Sequence, residues 1–214
     1  MKKNKGFFGY KVLRFILKPY FKLYYHPKII NKEYLNTEGP IIIAGNHKHA
    51  FDQCPTIISS KRVVHYMSKR EYFDAEASLF GNPNKFSCWL TKKIVTSIGC
   101  IPVDRSIKDE DAKQAAIEVL GDGGAIGIFP EGTRNKTDAF MLPFKFGTVS
   151  LAQKTSATII PFGVTGNYKF RSKNLIVRFG EPFKVDDLTL EEANEKLYEV
   201  IKGLMEENMK SEKD

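Results

Sequence analysis

Ile41-Ile42-Ile43-Ala44-Gly45-Asn46-His47-Lys48-His49-Ala50-Phe51-Asp52 is a short apolar run, a glycine, and a polar segment that carries an imidazole and closes on a carboxylate. An uninterrupted apolar run of this length reads as a strand buried on both faces. The polar segment after it reads as a turn into a helix that begins near Asp52. On one continuous helix His47 and Asp52 would stand about 140° apart and could not easily meet. A strand-turn-helix passage removes that obstacle, because the turn folds the imidazole back over the first helical turn. Such a pair suits general-base chemistry: the carboxylate keeps one ring nitrogen protonated and leaves the other to accept a substrate proton. The His-x4-Asp spacing by itself arises easily by chance, so the segments around it decide its meaning.

Working outward, apolar runs alternate with helical patterns along the chain. Strands are predicted at 41–44, 63–67, 97–103, 125–129, 158–164 and 175–179, and helices at 52–60, 86–95, 109–120 and 145–154. A last helix is marked by the capping box Thr189/Glu192 and by one apolar face holding Leu190, Ala193, Leu197, Val200, Ile201, Leu204 and Met205. This alternation predicts an α/β fold with a central mixed or largely parallel sheet flanked by helices. The length of 214 residues, 42% hydrophobic and 27% charged, fits one folded domain.

The net charge of +8 is uneven. Lys2, Lys3, Lys5, Lys11, Arg14, Lys18, Lys22 and Lys28 fall within the first 28 residues with no acid among them, so the rest of the chain balances 25 basic against 25 acidic residues. Lys11, Arg14, Lys18 and Lys22 form one stripe at helical spacing, with Leu13, Ile16, Leu17, Tyr20, Leu23 and Tyr24 opposite. That is the pattern of a basic amphipathic helical arm lying on an anionic membrane surface; packing on the protein's own core is the other reading. Pro19 is expected to kink or divide the helix. The sequence therefore divides into a membrane-interacting arm, 1–30, and a body, 31–214. Neither a membrane span nor a cleaved signal peptide fits the interrupted apolar run. Nucleic-acid binding is excluded by the neutral body and the lack of a readout motif.

No metal is expected. Cys54, Cys88 and Cys100 lack ligand spacing and read as reduced thiols, and His47, His49 and His65 lack further ligands at usable positions. His49 reads as a solvent-facing or locally bonded turn residue, and His65 as structural.

Three further segments come after the opening one: Gly99-Cys100-Ile101-Pro102-Val103-Asp104-Arg105, Phe129-Pro130-Glu131-Gly132-Thr133-Arg134-Asn135 and Ile160-Pro161-Phe162. Arg105 and Arg134 lie just past predicted strands, where a guanidinium suits bidentate phosphate capture. Gly132 lets a backbone approach a ligand, and Thr133 offers a hydroxyl. Loops at the carboxyl ends of strands are where open α/β sheets build sites.

Together the four segments resemble the sequence blocks of the glycerolipid acyltransferases, in particular the bacterial 1-acyl-glycerol-3-phosphate acyltransferases, over roughly residues 40–165. The resemblance implies catalysis by His47 and Asp52, with Lys69, Arg105, Glu131, Gly132, Thr133 and Arg134 binding substrate. Glu131 is left open between a glycerol hydroxyl and the arginines, and Ile160-Pro161-Phe162 is expected to shape the sheet and an acyl-facing wall. The implied reaction moves a fatty acyl group from acyl-CoA or acyl-carrier protein to the sn-2 hydroxyl of lysophosphatidate, making phosphatidate for phospholipid synthesis. It needs no bound cofactor and would take place on the cytoplasmic face of the cell membrane, with the protein peripheral or monotopic. Another lysolipid, glycerol-3-phosphate, hydrolysis of the thioester, or an inert membrane-binding module are the alternatives.

Overall fold

A computed structural model describes residues 8–79, 81–104, 106–107 and 109–211. Seven strands form one sheet: β1 Lys28–Ile30, β2 Ile41–Gly45, β3 Val64–Lys69, β4 Ile101–Val103, β5 Ala125–Ile128, β6 Thr158–Thr165 and β7 Ile176–Phe179. Their spatial order is β1-β7-β6-β2-β5-β3-β4. Every pairing is parallel except β6 with β7, which makes the sheet mixed but largely parallel, as the sequence predicts. Among the described residues six α-helices accompany it: α1 Phe8–Tyr24, α2 Cys54–Ser59, α3 Lys85–Ser97, α4 Glu110–Gly121, α5 Gly147–Thr155 and α6 Leu190–Ser211.

Strand β2 lies at the centre, and its side chains are buried on both faces. Ile42 and Ala44 join the core under α4, α5 and α6, while Ile41 and Ile43 join the core under α1 and α2. Burial on both sides is why the run carries no polar alternation. The chain leaves β2 toward β3 by way of α2 and leaves the adjacent β5 toward β6 by way of α5, on the opposite face. The connections diverge there, so a crevice opens between the carboxyl ends of β2 and β5. Asn46 pins the adjoining strand end: its side chain donates to the Val164 carbonyl at 3.0 Å and accepts from the Val164 N–H at 2.8 Å. The α6 capping box is present, with Thr189 N–H on Glu192 Oε2 at 2.9 Å and Glu192 N–H on Thr189 Oγ1 at 3.2 Å.

Of the expected kink or division of the first helix, the division is not seen: α1 runs through Pro19 as one helix. Pro19 lies on the exposed side, where the carbonyl it frees can be hydrated. One side of α1 packs on the body's own core. Tyr10 and Phe21 are buried in the body's core and Leu17 packs against it, whereas Phe8, Val12, Phe15, Ile16 and Leu23 remain exposed, with Lys11, Lys18 and Lys22 beside them. β1 then pairs with β7, so the sheet begins inside the segment 1–30. No helix among the described residues is long and apolar enough to cross a membrane.

Candidate active site

His47 and Asp52 meet. The backbone leaves β2 at Gly45, turns through His49–Asp52, where the Asp52 N–H bonds the His49 carbonyl at 3.3 Å, and enters α2 at Cys54. The turn brings His47 Nδ1 to 3.0 Å from Asp52 Oδ2. The same oxygen accepts the N–H groups of Lys48 and His49 at 2.8 and 2.7 Å, and Tyr168 Oη donates to the other oxygen at 2.8 Å. Asp52 is 1% exposed, and its carboxylate is held on every side. A carboxylate accepts and does not donate, so Nδ1 carries the hydrogen and Nε2 offers a lone pair. The ring plane is fixed by Phe129, stacked 3.9 Å away and 9° from parallel.

Glu131 works on the backbone of this loop. Its Oε1 accepts the His47 N–H at 2.6 Å and its Oε2 the Leu142 N–H at 2.8 Å, while the His47 carbonyl accepts the Asn135 N–H at 2.7 Å. Burial to 3% exposure pushes the Glu131 carboxyl up, against the lowering pull of those two N–H groups. Both oxygens are thus engaged by main-chain donors, and the loop after β5 is stitched to both polar groups of the His47 peptide. In this structure Glu131 clamps the backbone of the His47 loop.

A cavity of about 530 Å³ opens beside His47. Met67, Val103, Ala112, Ala116, Ile128 and Leu151 make its walls apolar, and Gly132 and Lys145 stand in its lining. Gly132 has φ +70°, a left-handed conformation that favours glycine, and a Cβ there would sit 3.1 Å from Lys145 Nζ. Thr133 and Arg134 are exposed on the same loop. Partial burial lowers the His49 pKa, and the charges of Arg134 and His47 add to that against Asp52.

Other sequence expectations fare differently. Lys69 does not line this cavity but a neighbouring hollow with Arg70, Glu71, Asp74 and Glu76, which meets the first at Asp104. Arg105 lies outside the described residues. Ile160, Pro161 and Phe162 do not line the cavity: Ile160 and Phe162 belong to the core under α1 and α2, on the other side of the sheet. His49 behaves as a turn residue, its Nδ1 accepting the Phe51 N–H at 3.2 Å. His65 is buried, with Nδ1 donating to the Gly99 carbonyl at 2.7 Å. The described residues contain no group of three side chains arranged to hold a metal, and all three cysteines are free thiols.

Tyr168, Phe129 and Lys145 escape the sequence reading. Tyr168 stands 116 positions from Asp52, in a loop with no helical or strand period, and only the fold brings it back. Phe129 could have been found, since a residue ending a strand beside the predicted crevice must face it or the core.

Comparison with known proteins agrees with this geometry. The family model described as Acyltransferase matches residues 26–165. The chain is 29% identical over 182 residues to the 1-acyl-sn-glycerol-3-phosphate acyltransferase of Bacillus subtilis (strain 168), covering 83% of each. It is 30% identical over 162 residues to the enzyme of that name from Borreliella burgdorferi, covering 71% of this chain and 56% of that one. The crystal structure of the 1-acyl-sn-glycerophosphate (LPA) acyltransferase PlsC from Thermotoga maritima superposes with a TM-score of 0.67 at 22% identity, covering 92% of this chain and 78% of the other; it shares the fold. With this family model matching well over half of the chain, the chain belongs to the glycerolipid acyltransferase family and is an acyltransferase.

Proposed function

We propose that this acyltransferase moves a fatty acyl group from acyl-CoA or acyl-carrier protein to the sn-2 hydroxyl of 1-acyl-glycerol-3-phosphate, yielding phosphatidate. The carrying observation is the His47–Asp52 pair, 3.0 Å apart beside an apolar cavity at the crevice between β2 and β5. The names of the relatives support the choice of acceptor. His47 Nε2 takes the proton of the acceptor hydroxyl as that oxygen attacks the thioester carbonyl. Asp52 keeps the imidazole in the required tautomer and steadies the imidazolium that forms. The tetrahedral adduct collapses, the carbon–sulfur bond breaks, and the thiolate leaves with the proton returned by His47. Atoms and charges balance without a metal, a bound cofactor or a covalent enzyme intermediate.

Lys145 in the cavity lining and Arg134, exposed on the loop beyond Gly132, supply positive charge for the acceptor's phosphate; the family resemblance adds Arg105 as a phosphate ligand, and Lys69 draws anions from the adjoining hollow. The apolar walls take the acyl chain of the donor. The acceptor is a bilayer lipid, so the protein works at the cytoplasmic face of the membrane, seated through the exposed apolar and basic flanks of α1.

Incubation with lysophosphatidate and each thioester, followed by mass spectrometry of the products, tests the reading. Phosphatidate is expected from wild type, with about 10²–10⁴-fold less from His47→Ala. Acylation of glycerol-3-phosphate or another lysolipid in its place, free fatty acid alone, or His47→Ala within a few-fold of wild type would each refute it.

A further inference from the structure

α3 carries a surface that the proposed function does not use. Ser87, Cys88, Thr91 and Val95 turn inward along one side of it. The opposite side holds Phe86, 69% exposed, and Trp89, 50% exposed, with Lys85, Lys92 and Lys93 exposed around them. The two rings stack at 6.1 Å, and Lys93 Nζ lies 5.9 Å from the centre of the indole. No acid occurs between Lys85 and Ser97. Leu79, 49% exposed, is tied to the same helix by its N–H on Thr91 Oγ1 at 3.0 Å.

Single exposed apolar residues are ordinary. Adjacent exposed phenyl and indole rings on a helix whose only charges are lysines are a different composition. An indole suits the water–lipid boundary, where its ring is buried and its N–H stays wet, and lysine stems lie along apolar surface while their amines reach anionic headgroups. The place also fits. Gly9, at the start of α1, sits so close to the end of α3 that a Cβ on it would be 2.5 Å from Ser97 Oγ. The exposed apolar side of α1, beginning at Phe8, therefore starts where α3 ends.

We propose that the Phe86/Trp89 face of α3 is a second bilayer-contact surface, binding anionic lipid alongside α1. This rests on the reading of the acceptor as a bilayer lipid, and it adds a second point of attachment. Two separated contacts fix the tilt of the body over the membrane, where a single helix would leave it free to roll about its own axis.

Trp89 is the only tryptophan in the chain, so the tryptophan emission of the intact protein reports on α3 alone, while co-sedimentation reports on the whole molecule. With phosphatidylcholine vesicles containing phosphatidylglycerol, the protein is expected to sediment, its emission to shift to the blue, and brominated acyl chains to quench it. Replacing Lys85, Lys92 and Lys93 by Glu should weaken sedimentation at least tenfold without moving the thermal unfolding midpoint, because each lysine draws on the anionic surface. Sedimentation with emission unshifted and unquenched would overturn the role of α3 and leave α1 as the sole contact. Failure to sediment would overturn membrane seating altogether. Emission already blue without lipid and varying with protein concentration would assign the face to a second copy of the chain. A shift produced by an acidic carrier protein and not by vesicles would assign it to the donor. Either of these last results also overturns the proposal.

Discussion

Tyr168 Oη bonds Asp52 Oδ1 at 2.8 Å, so the carboxylate that orients His47 is itself held from a loop on the far side of β6. The loop is anchored to α1: the Arg171 N–H donates to the Tyr24 carbonyl at 2.7 Å, and Tyr168 packs edge-on to Phe21 and Tyr25. Burial and the nearby Asp52 charge raise the Tyr168 phenol well above its ordinary value, which keeps it a donor throughout the working range. Tyr168→Phe retains the stack on His49 and removes only the hydroxyl. Loss of one charge-assisted bond, worth about 1.5–3 kcal/mol, should cost kcat about tenfold or more with KM little changed. Steady-state kinetics check this; a raised KM at unchanged kcat would place Tyr168 in substrate binding.

Asp52→Asn places an amide opposite Nδ1. The N–H groups of Lys48 and His49 require an acceptor there, so the amide oxygen faces the ring and the tautomer is kept, but the negative charge that steadies the imidazolium is gone. A drop in kcat of about 10²-fold or more is expected, with the fold retained by circular dichroism.

Glu131→Gln tests the clamp. Both Glu131 oxygens accept main-chain N–H groups, and the glutamine NH2 must face one of them. A donor set against a donor in a buried site costs about 1–3 kcal/mol, so the urea midpoint should fall together with activity. Unchanged stability with a raised acceptor KM would return Glu131 to the substrate.

Ala116→Leu fills part of the cavity from α4. Each displaced methylene of a long acyl chain forfeits about 0.8 kcal/mol of burial. kcat/KM for long-chain donors should fall about tenfold relative to short-chain donors, measured in competition.

Asp109 caps α4 through the Ala112 N–H at 2.9 Å, accepts the Asp104 N–H at 2.8 Å, and pairs with Arg70 at 3.0 Å. The N–H groups of Asp104 and Ala112, then Arg70, hold its carboxyl down at about 2. A folded pKa below the unfolded one of about 3.9 contributes stability that is complete above pH 4 and lost as pH falls toward 2. The Asp109→Asn protein should therefore lose less stability than wild type between pH 4 and pH 2, read from urea midpoints.

The long apolar runs were legible because burial on both faces leaves a mark in composition: 41–44, 125–129, 158–164 and 175–179 fold as β2, β5, β6 and β7. Short elements left less. Lys28–Ile30 is too brief beside Pro27 to register as β1, and the run 97–103 splits because Ser97 closes α3 and Gly99 turns at φ +77° before β4 starts at Ile101. In the site, the His47–Asp52 turn could be anticipated from spacing and a strand end. Glu131 was visible as a residue but not in its use, because main-chain partners have no sequence signature. Tyr168 was invisible for a related reason, since its bond exists only after β6 and the loop beyond it are in place.

The pairing of β1 with β7 sets an order for biosynthesis. Lys28 lies opposite Ile176, so β1 leaves the ribosome about 150 residues before its partner β7. Long-range parallel pairing is slow for the same reason. Through that interval the leading helix, with Phe21 and Tyr10 still lacking their seats, is a nascent apolar segment available to a bilayer or a chaperone before the catalytic body beneath it exists.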